Sequence, residues 1–343
     1  FSASARRAGE WDVFGTYRFV LPRVEVLRRN GTSVLAVNLR SDECPVSVQE
    51  EIAALAFPAP TAEPVVPAPT GGSEQPARET WLRMIEEAVE VLGRDGFEKV
   101  VLARRRTLRF EGPPDAAILL RALRRRTADC FHFCFQPRPG HAFFGASPER
   151  LYRRDGRDVL TEAIAGTAPR SGNPEENRRW AEHLMTSTKE RREQRLVVDG
   201  IQQILAPRCL ELNTEPEPHV LELSLNQHLV TRFRGLLRDD VTDAALLTGL
   251  HPTPAVGGCP AEQAEGYIEA HEPFDRGWFA GPVGWVARDA AQFVVGIRSA
   301  LIDRTDLHVY AGAGILPASD PAGEWDETEQ KMANLLSLFE RRT

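Results

Sequence analysis

Three apolar segments near the C-terminal end, FAGPVGWVA, QFVVGIRSALI and LHVYAGAGI, follow one another from 279 to 315 with no helical stretch between them. Parallel neighbours need a crossover of a dozen or more residues, usually a helix, so gaps this short point to antiparallel pairing. KVVLARRRTLRF, FHFCFQP and HAFFGASPERLYRR read as further strands upstream. There is no internal repeat and no regular βαβ alternation. Runs of strands set beside runs of helices favour antiparallel sheets with helices packed outside, an α+β (mixed α/β) class.

The helices announce themselves by spacing. In ETWLRMIEEAVEVLGRDG, Trp81, Ile85, Val89 and Leu92 fall on one stripe that stops at Gly96. A helix is expected near Ala116 to Arg126. Asn173 caps another that opens on Pro174 and Glu175, and a further one runs from Thr188 to Leu205. The last helix lies within Ser319 to Phe339. N-terminal strands are expected in YRFVLPRVEVLRR and SVLAVNLR. Repeated Pro and Gly-Gly-Ser in 57–78 read as a surface loop that builds neither helix nor central strand. The organisation expected is one large domain over 1–343: strands in 1–56, the loop at 57–78, and a core over 79–343.

Composition excludes several classes. No apolar run approaches the ~20 residues that cross a bilayer, and FSASARRAGEWDVF lacks the apolar core of a secretory signal, so a cytoplasmic protein is expected. Five scattered cysteines without C-x-x-C spacing argue for reduced thiols over a zinc cluster or disulfide framework. A net charge of -7 argues against a nucleic-acid partner. An anionic substrate would have to be received by a local cluster of Arg, Lys and backbone N-H groups.

Several residues carry chemistry by their placement. Glu324 and Glu327 sit three apart on the first turns of the last helix, share a face, and could hold a hard cation; a solvated helix start explains the spacing too. Lys99 leads the strand face shared with Val101 and Ala103, where desolvation could make it a base, unless it simply reaches solvent. Glu149 follows Ser147-Pro148 at the end of an apolar strand, a place for a half-buried acid or a plain turn. Glu193 extends the buried face of its helix and needs a partner: a Mg²⁺ shared with Glu324 and Glu327, or Arg191, Arg192 or Arg195. Arg298 points from an apolar strand, and Gly312 and Gly314 would let backbone N-H groups approach a carboxylate.

In order along the chain, EKVVLAR, GASPERL, AIAGTAPR, STKERREQ, HPTPAVGG, EPFDRGWFAGPVGW, IRSA, YAGAGI and GEWDETEQK resemble the chorismate-utilising enzymes. The resemblance runs from Trp81 to the C-terminus. It implies facing antiparallel sheets covered by outer helices, chorismate as the small-molecule partner, Mg²⁺ as cofactor, and a monomer. Glu193 and Glu327 are then metal carboxylates with Glu324 in support, while Arg298, the Gly312 backbone and Lys331 receive carboxylates. Gly166, Thr167 and His228 line the same site.

Within the family, Lys99 resembles the lysine of members that activate water, where ammonia-using members place Gln. Ala255 stands where members that eliminate pyruvate usually carry Thr. The resemblance therefore implies isochorismate formation: Lys99 as base, Glu149 as acid to the departing C4 hydroxyl. HPTPAVGG is similar to siderophore-type members. Trp278, Gly257 and Thr188 depart from the family pattern, and Tyr310 stands where Phe is familiar.

Overall fold

Every strand pairing is antiparallel among the described residues of the computed structural model, which are 9–29, 31–55, 65–94, 97–224 and 226–340. The expected helix stop at Gly96 and the loop residues 57–64 lie outside them. No described helix is long and apolar enough to cross a membrane.

The chain divides into two compact units, residues 14–65 and residues 1–13 with 66–343. In the smaller, β1 (Val24–Arg29) pairs with β2 (Thr32–Val37) and α1 (Pro45–Ala53) follows. Its ties are local. Arg23 reaches Glu43 at 2.6 Å and Glu51 at 3.1 Å, and Asn38 donates to the Pro22 carbonyl at 2.7 Å. The strand expected from Tyr17 begins only after Pro22, which has no N-H for a ladder.

The larger unit begins with β3 (Gly71–Gln75), α2 (Arg78–Val91), β4 (Lys99–Arg109), α3 (Ala116–Arg124), β5 (Phe131–Arg138) and β6 (His141–Ser147). Next come β7 (Arg150–Asp155), β8 (Asp158–Pro169), α4 (Pro174–Thr186), α5 (Thr188–Leu205), β9 (Cys209–Thr214), β10 (His219–Glu222) and β11 (Asn226–Leu237). It closes with α6 (Asp243–Leu250), β12 (Gly258–Cys259), α7 (Ala261–His271), β13 (Pro282–Val286), β14 (Ala290–Val295), β15 (Ser299–Asp303), β16 (Asp306–Ile315) and α8 (Pro321–Leu336). One seven-stranded sheet has the order β12-β4-β16-β15-β6-β5 with β3 added to β4; the other has β10-β11-β8-β7-β14-β13 with β9 added to β11. β3 corrects the loop expected at 57–78: Gly71–Gln75 contains no Pro, and the missing Cβ of Gly72 lets the Thr107 carbonyl close on it.

Helix amphipathicity places the outer layers. Trp81, Ile85, Ala88 and Leu92 pack on Val100 and Leu102 of β4 and on Ala313 and Ile315 of β16. Asp115 caps α3 by accepting from the N-H groups of Ala117 and Ile118, and turns Leu119 and Leu123 onto the first sheet. Helices α4 and α5 cover the second sheet. Each fully buried Leu or Ile in these layers contributes about 1.5–3 kcal/mol. Because the even positions of β4 serve this core, its odd positions, led by Lys99, face the other way.

Two ribbons pass from sheet to sheet. The chain leaves β6 for β7 through Pro148-Glu149, and leaves β14 for β15 through Gly296-Ile297-Arg298. QFVVGIRSALI is thus two strands rather than one, and Arg298 sits in the break at φ 51°, buried as expected but outside any strand. The crossings are stitched together: the Ala146 N-H donates to the Arg298 carbonyl at 3.1 Å, and the Val295 N-H to the Glu149 carbonyl at 3.0 Å.

Candidate active site

A cavity with about 710 Å³ of empty space opens between the two sheets of the larger unit, where the crossings, α5 and α8 meet. Eleven of the residues expected in the site border it: Glu149, Gly166, Thr167, Glu193, His228, Ala255, Arg298, Tyr310, Gly312, Glu327 and Lys331. Lys99 and Glu324 do not line it, but each pairs with a neighbouring charged side chain, Lys99 with Glu193 and Glu324 with Lys189.

Lys99 is fully buried, not solvent-reaching, and its Nζ lies 2.8 Å from Glu193 Oε1. Gly314 on the neighbouring strand makes room, since a Cβ there would lie 2.9 Å from Lys99 Cε and collide with the Glu193 carboxylate. Burial pushes Glu193 up, but the Lys99 ammonium and its hydrogen bond outweigh it and hold the carboxyl below its ordinary range. The arginine partners considered for Glu193 go elsewhere: Arg191 to Glu217, Arg192 to Glu98, Arg195 to Asp199. Glu149, at 4% exposure, is more deeply buried than a half-buried turn. Burial pushes it up to about 7, with Lys99 and Lys331 pulling the other way.

At the cavity's helical end, Asp320 caps α8 by accepting from the Gly323 N-H, and the first turns then present Glu324 and Glu327. Glu324 is 1% exposed, accepts from Lys189 Nζ at 2.7 Å, and keeps Oε2 buried without a hydrogen-bond partner. Glu327 pairs with Lys331 at 2.6 Å. Burial, and then the Glu327 carboxylate, raises Glu324 to about 7. Among the described residues no three acid, His or Cys side chains already form a metal-ready group, and the three expected metal carboxylates each hold a lysine.

Glu190 was missed. Burial, then Glu193, with Glu327 and Glu324 further off, pushes it up to about 7. It lies three residues before Glu193 on α5, the same i, i+3 spacing that drew attention to Glu324 and Glu327, and that spacing could have found it. Gln194 anchors this turn by donating to the Ala163 carbonyl at 3.1 Å and to Thr231 Oγ1 at 3.0 Å.

On the second sheet the β8–β11 register slips: Gln227 faces Ala168 but Leu229 faces Ala165, so Gly166 and Thr167 oppose His228 alone. Gly166 takes φ 69°, and a Cβ on it would lie 2.8 Å from Glu190 Oε2. This bulge turns Thr167 and His228 to the cavity. His228 Nδ1 donates to the Gly166 carbonyl at 2.8 Å, which leaves Nε2 as acceptor toward Arg298 at 3.5 Å. Burial, then the Arg298 charge, pulls His228 down to about 3, so it is neutral. Burial likewise brings Arg298 down to about 10. Lys331 Nζ donates to the Gly312 carbonyl at 2.8 Å, Tyr310 stacks on Phe279, and Ala255 lies in the turn before β12.

A family model described as chorismate binding enzyme matches residues 1–340. The chain is 35% identical over 99% of its length to a chloroplastic isochorismate synthase of Catharanthus roseus, of which it spans 61%. It is 34% identical over its full length to isochorismate synthase MenF of Bacillus subtilis and spans 74% of that protein. Among solved structures, the menaquinone-specific isochorismate synthase MenF of Escherichia coli superposes with TM-score 0.86 and 36% identity, over 94% of this chain and 75% of that one.

Proposed function

The chain belongs to the chorismate-binding enzyme family, and on that premise we propose that it is an isochorismate synthase, interconverting chorismate and isochorismate. The observation that carries the reading is that eleven residues expected in the site, from both sheets, both crossings and two helices, line one cavity. Lys99, as the neutral amine released from Glu193, takes a proton from water, whose oxygen bonds to C2 of the ring. The ring double bonds shift, and the C4–oxygen bond breaks as Glu149 protonates the leaving hydroxyl. With a value of about 7, Glu149 is about half protonated at neutral pH, the poise a general acid needs.

Arg298, Lys331 and the Gly312 backbone are placed to receive the substrate's carboxylates, and neutral His228 accepts from Arg298 without adding a competing charge. The carboxylates suit a hard cation: Glu193, Glu327 and Glu324 each act on Glu190, Glu327 acts on Glu324, and Glu324 Oε2 is buried without a hydrogen-bond partner. Glu193 and Glu327, supported by Glu324 and Glu190, would hold Mg²⁺. When bound it supplies positive charge that fixes and stabilises the substrate's carboxylate side.

Two downstream uses carry support. The HPTPAVGG segment resembles siderophore-type members, and the Escherichia coli structure is described as menaquinone-specific. Incubation with chorismate and Mg²⁺, with products resolved by chromatography, tests the activity. Chorismate and isochorismate at equilibrium, with little pyruvate, are expected. Stoichiometric pyruvate with salicylate would make it a salicylate synthase, and binding without conversion would make it a silent chorismate binder.

A further inference from the structure

Strand β4 loses its neighbour where its function begins. On the side away from β16, β12 pairs only with Lys99 and Val100, and the Val101 N-H donates to the Gly257 carbonyl at 2.8 Å. Between there and Arg105, where β3 takes up the edge, it is met by side chains. Glu272 Oε1 accepts from the Ala103 N-H at 2.7 Å, and Arg276 donates to the Val101 carbonyl at 2.6 Å. The same guanidinium donates to the Val256 carbonyl at 2.9 Å and pairs with Glu272 at 2.5 Å and 2.8 Å. Both residues are nearly sealed from solvent, Glu272 at 5% and Arg276 at 3% exposure.

The geometry points to Glu272 and Arg276 as positioning residues for the reaction proposed above: a two-residue substitute for the missing strand that sets where Lys99 and the Ala255-Val256 wall stand. A buried ion pair alone is weak support for stability, because desolvation offsets the attraction. Here the pair answers three backbone groups that would otherwise be buried unmet. One acceptor and one forked donor replace a strand's alternating carbonyl and N-H. Arg276 borders the cavity, yet these bonds direct it to the protein chain. The carboxylate receivers Arg298 and Lys331 lie on other elements, so a shift of the β4 edge moves the base more than it moves them.

The test uses Arg276→Lys and Glu272→Ala in the full chain. Lysine keeps the charge but cannot bridge Glu272 and two carbonyls. Misplacement of the base should lower kcat about 10²-fold while KM for chorismate changes less than about threefold. Amide exchange at Val101 and Ala103 should quicken in both variants, and the pH profile of kcat should shift from wild type. Wild-type kcat and pH profile in folded Arg276→Lys would overturn the inference, as would unchanged exchange at Ala103 in Glu272→Ala. If wild type does not turn over chorismate, the functional reading fails by itself, and the exchange measurement still decides whether the pair holds the strand.

Discussion

Lys99 Nζ lies 2.8 Å from Glu193 Oε1, so the residue proposed as base and a carboxylate proposed to hold Mg²⁺ are one buried ion pair. Lysine, metal site and cavity wall are therefore coupled, and substitutions must be read by substrate affinity as well as by turnover.

Lys99→Ala is expected to reduce turnover by about 10²- to 10⁴-fold, the usual worth of a general base. Chorismate affinity should persist, because Arg298 and Lys331 lie on other elements. Wild-type turnover in a steady-state assay of this variant would remove Lys99 from the mechanism.

For Glu149 the sign follows from its raised value. Folded, the carboxyl keeps its proton up to about 7, against 4.5 for the exposed group, so the active acid is present below 7 and lost above it. Turnover should fall as pH rises through about 7, and the stability this group contributes, whole below 4.5, should fade over the same climb. In Glu149→Gln both dependences should flatten, as measured by pH-rate profiles and melting temperature.

Glu193→Gln and Glu327→Gln should each weaken Mg²⁺ binding and most of the activity while the protein stays folded. Calorimetric titration with Mg²⁺ alone reads the loss without reference to turnover. Unchanged binding in both would make these acids partners of Lys99 and Lys331 only.

Gly314→Ala puts a methyl group against Lys99 Cε and the Glu193 carboxylate. Overpacking of this kind costs about 1–3 kcal/mol. A lowered melting point with an activity loss approaching that of Lys99→Ala is expected. Normal activity would show that the pair tolerates displacement.

Much of this was legible in the sequence because it is local. The stripe Trp81, Ile85, Val89 and Leu92 and the Asn173 cap are each marked within one element, and the structure has the cap and the stripe, with Val89 partly buried. What escaped depends on partners far along the chain. The bulge at Gly166 exists only opposite His228, 62 residues away, and Glu272 meets Ala103 from 169 residues away. The apolar neighbours of Arg298 predict a strand running through it; nothing local marks the point where a ribbon changes sheets.

That change of sheets has a consequence for unfolding. Glu149 and Arg298 occupy the two stitched crossings, so neither sheet owns the proposed acid or the proposed anion receiver. Prising the sheets apart would tear both from their places in a single event. Activity and sheet-to-sheet association should then disappear together along a denaturant series, with no half-open form that still turns over.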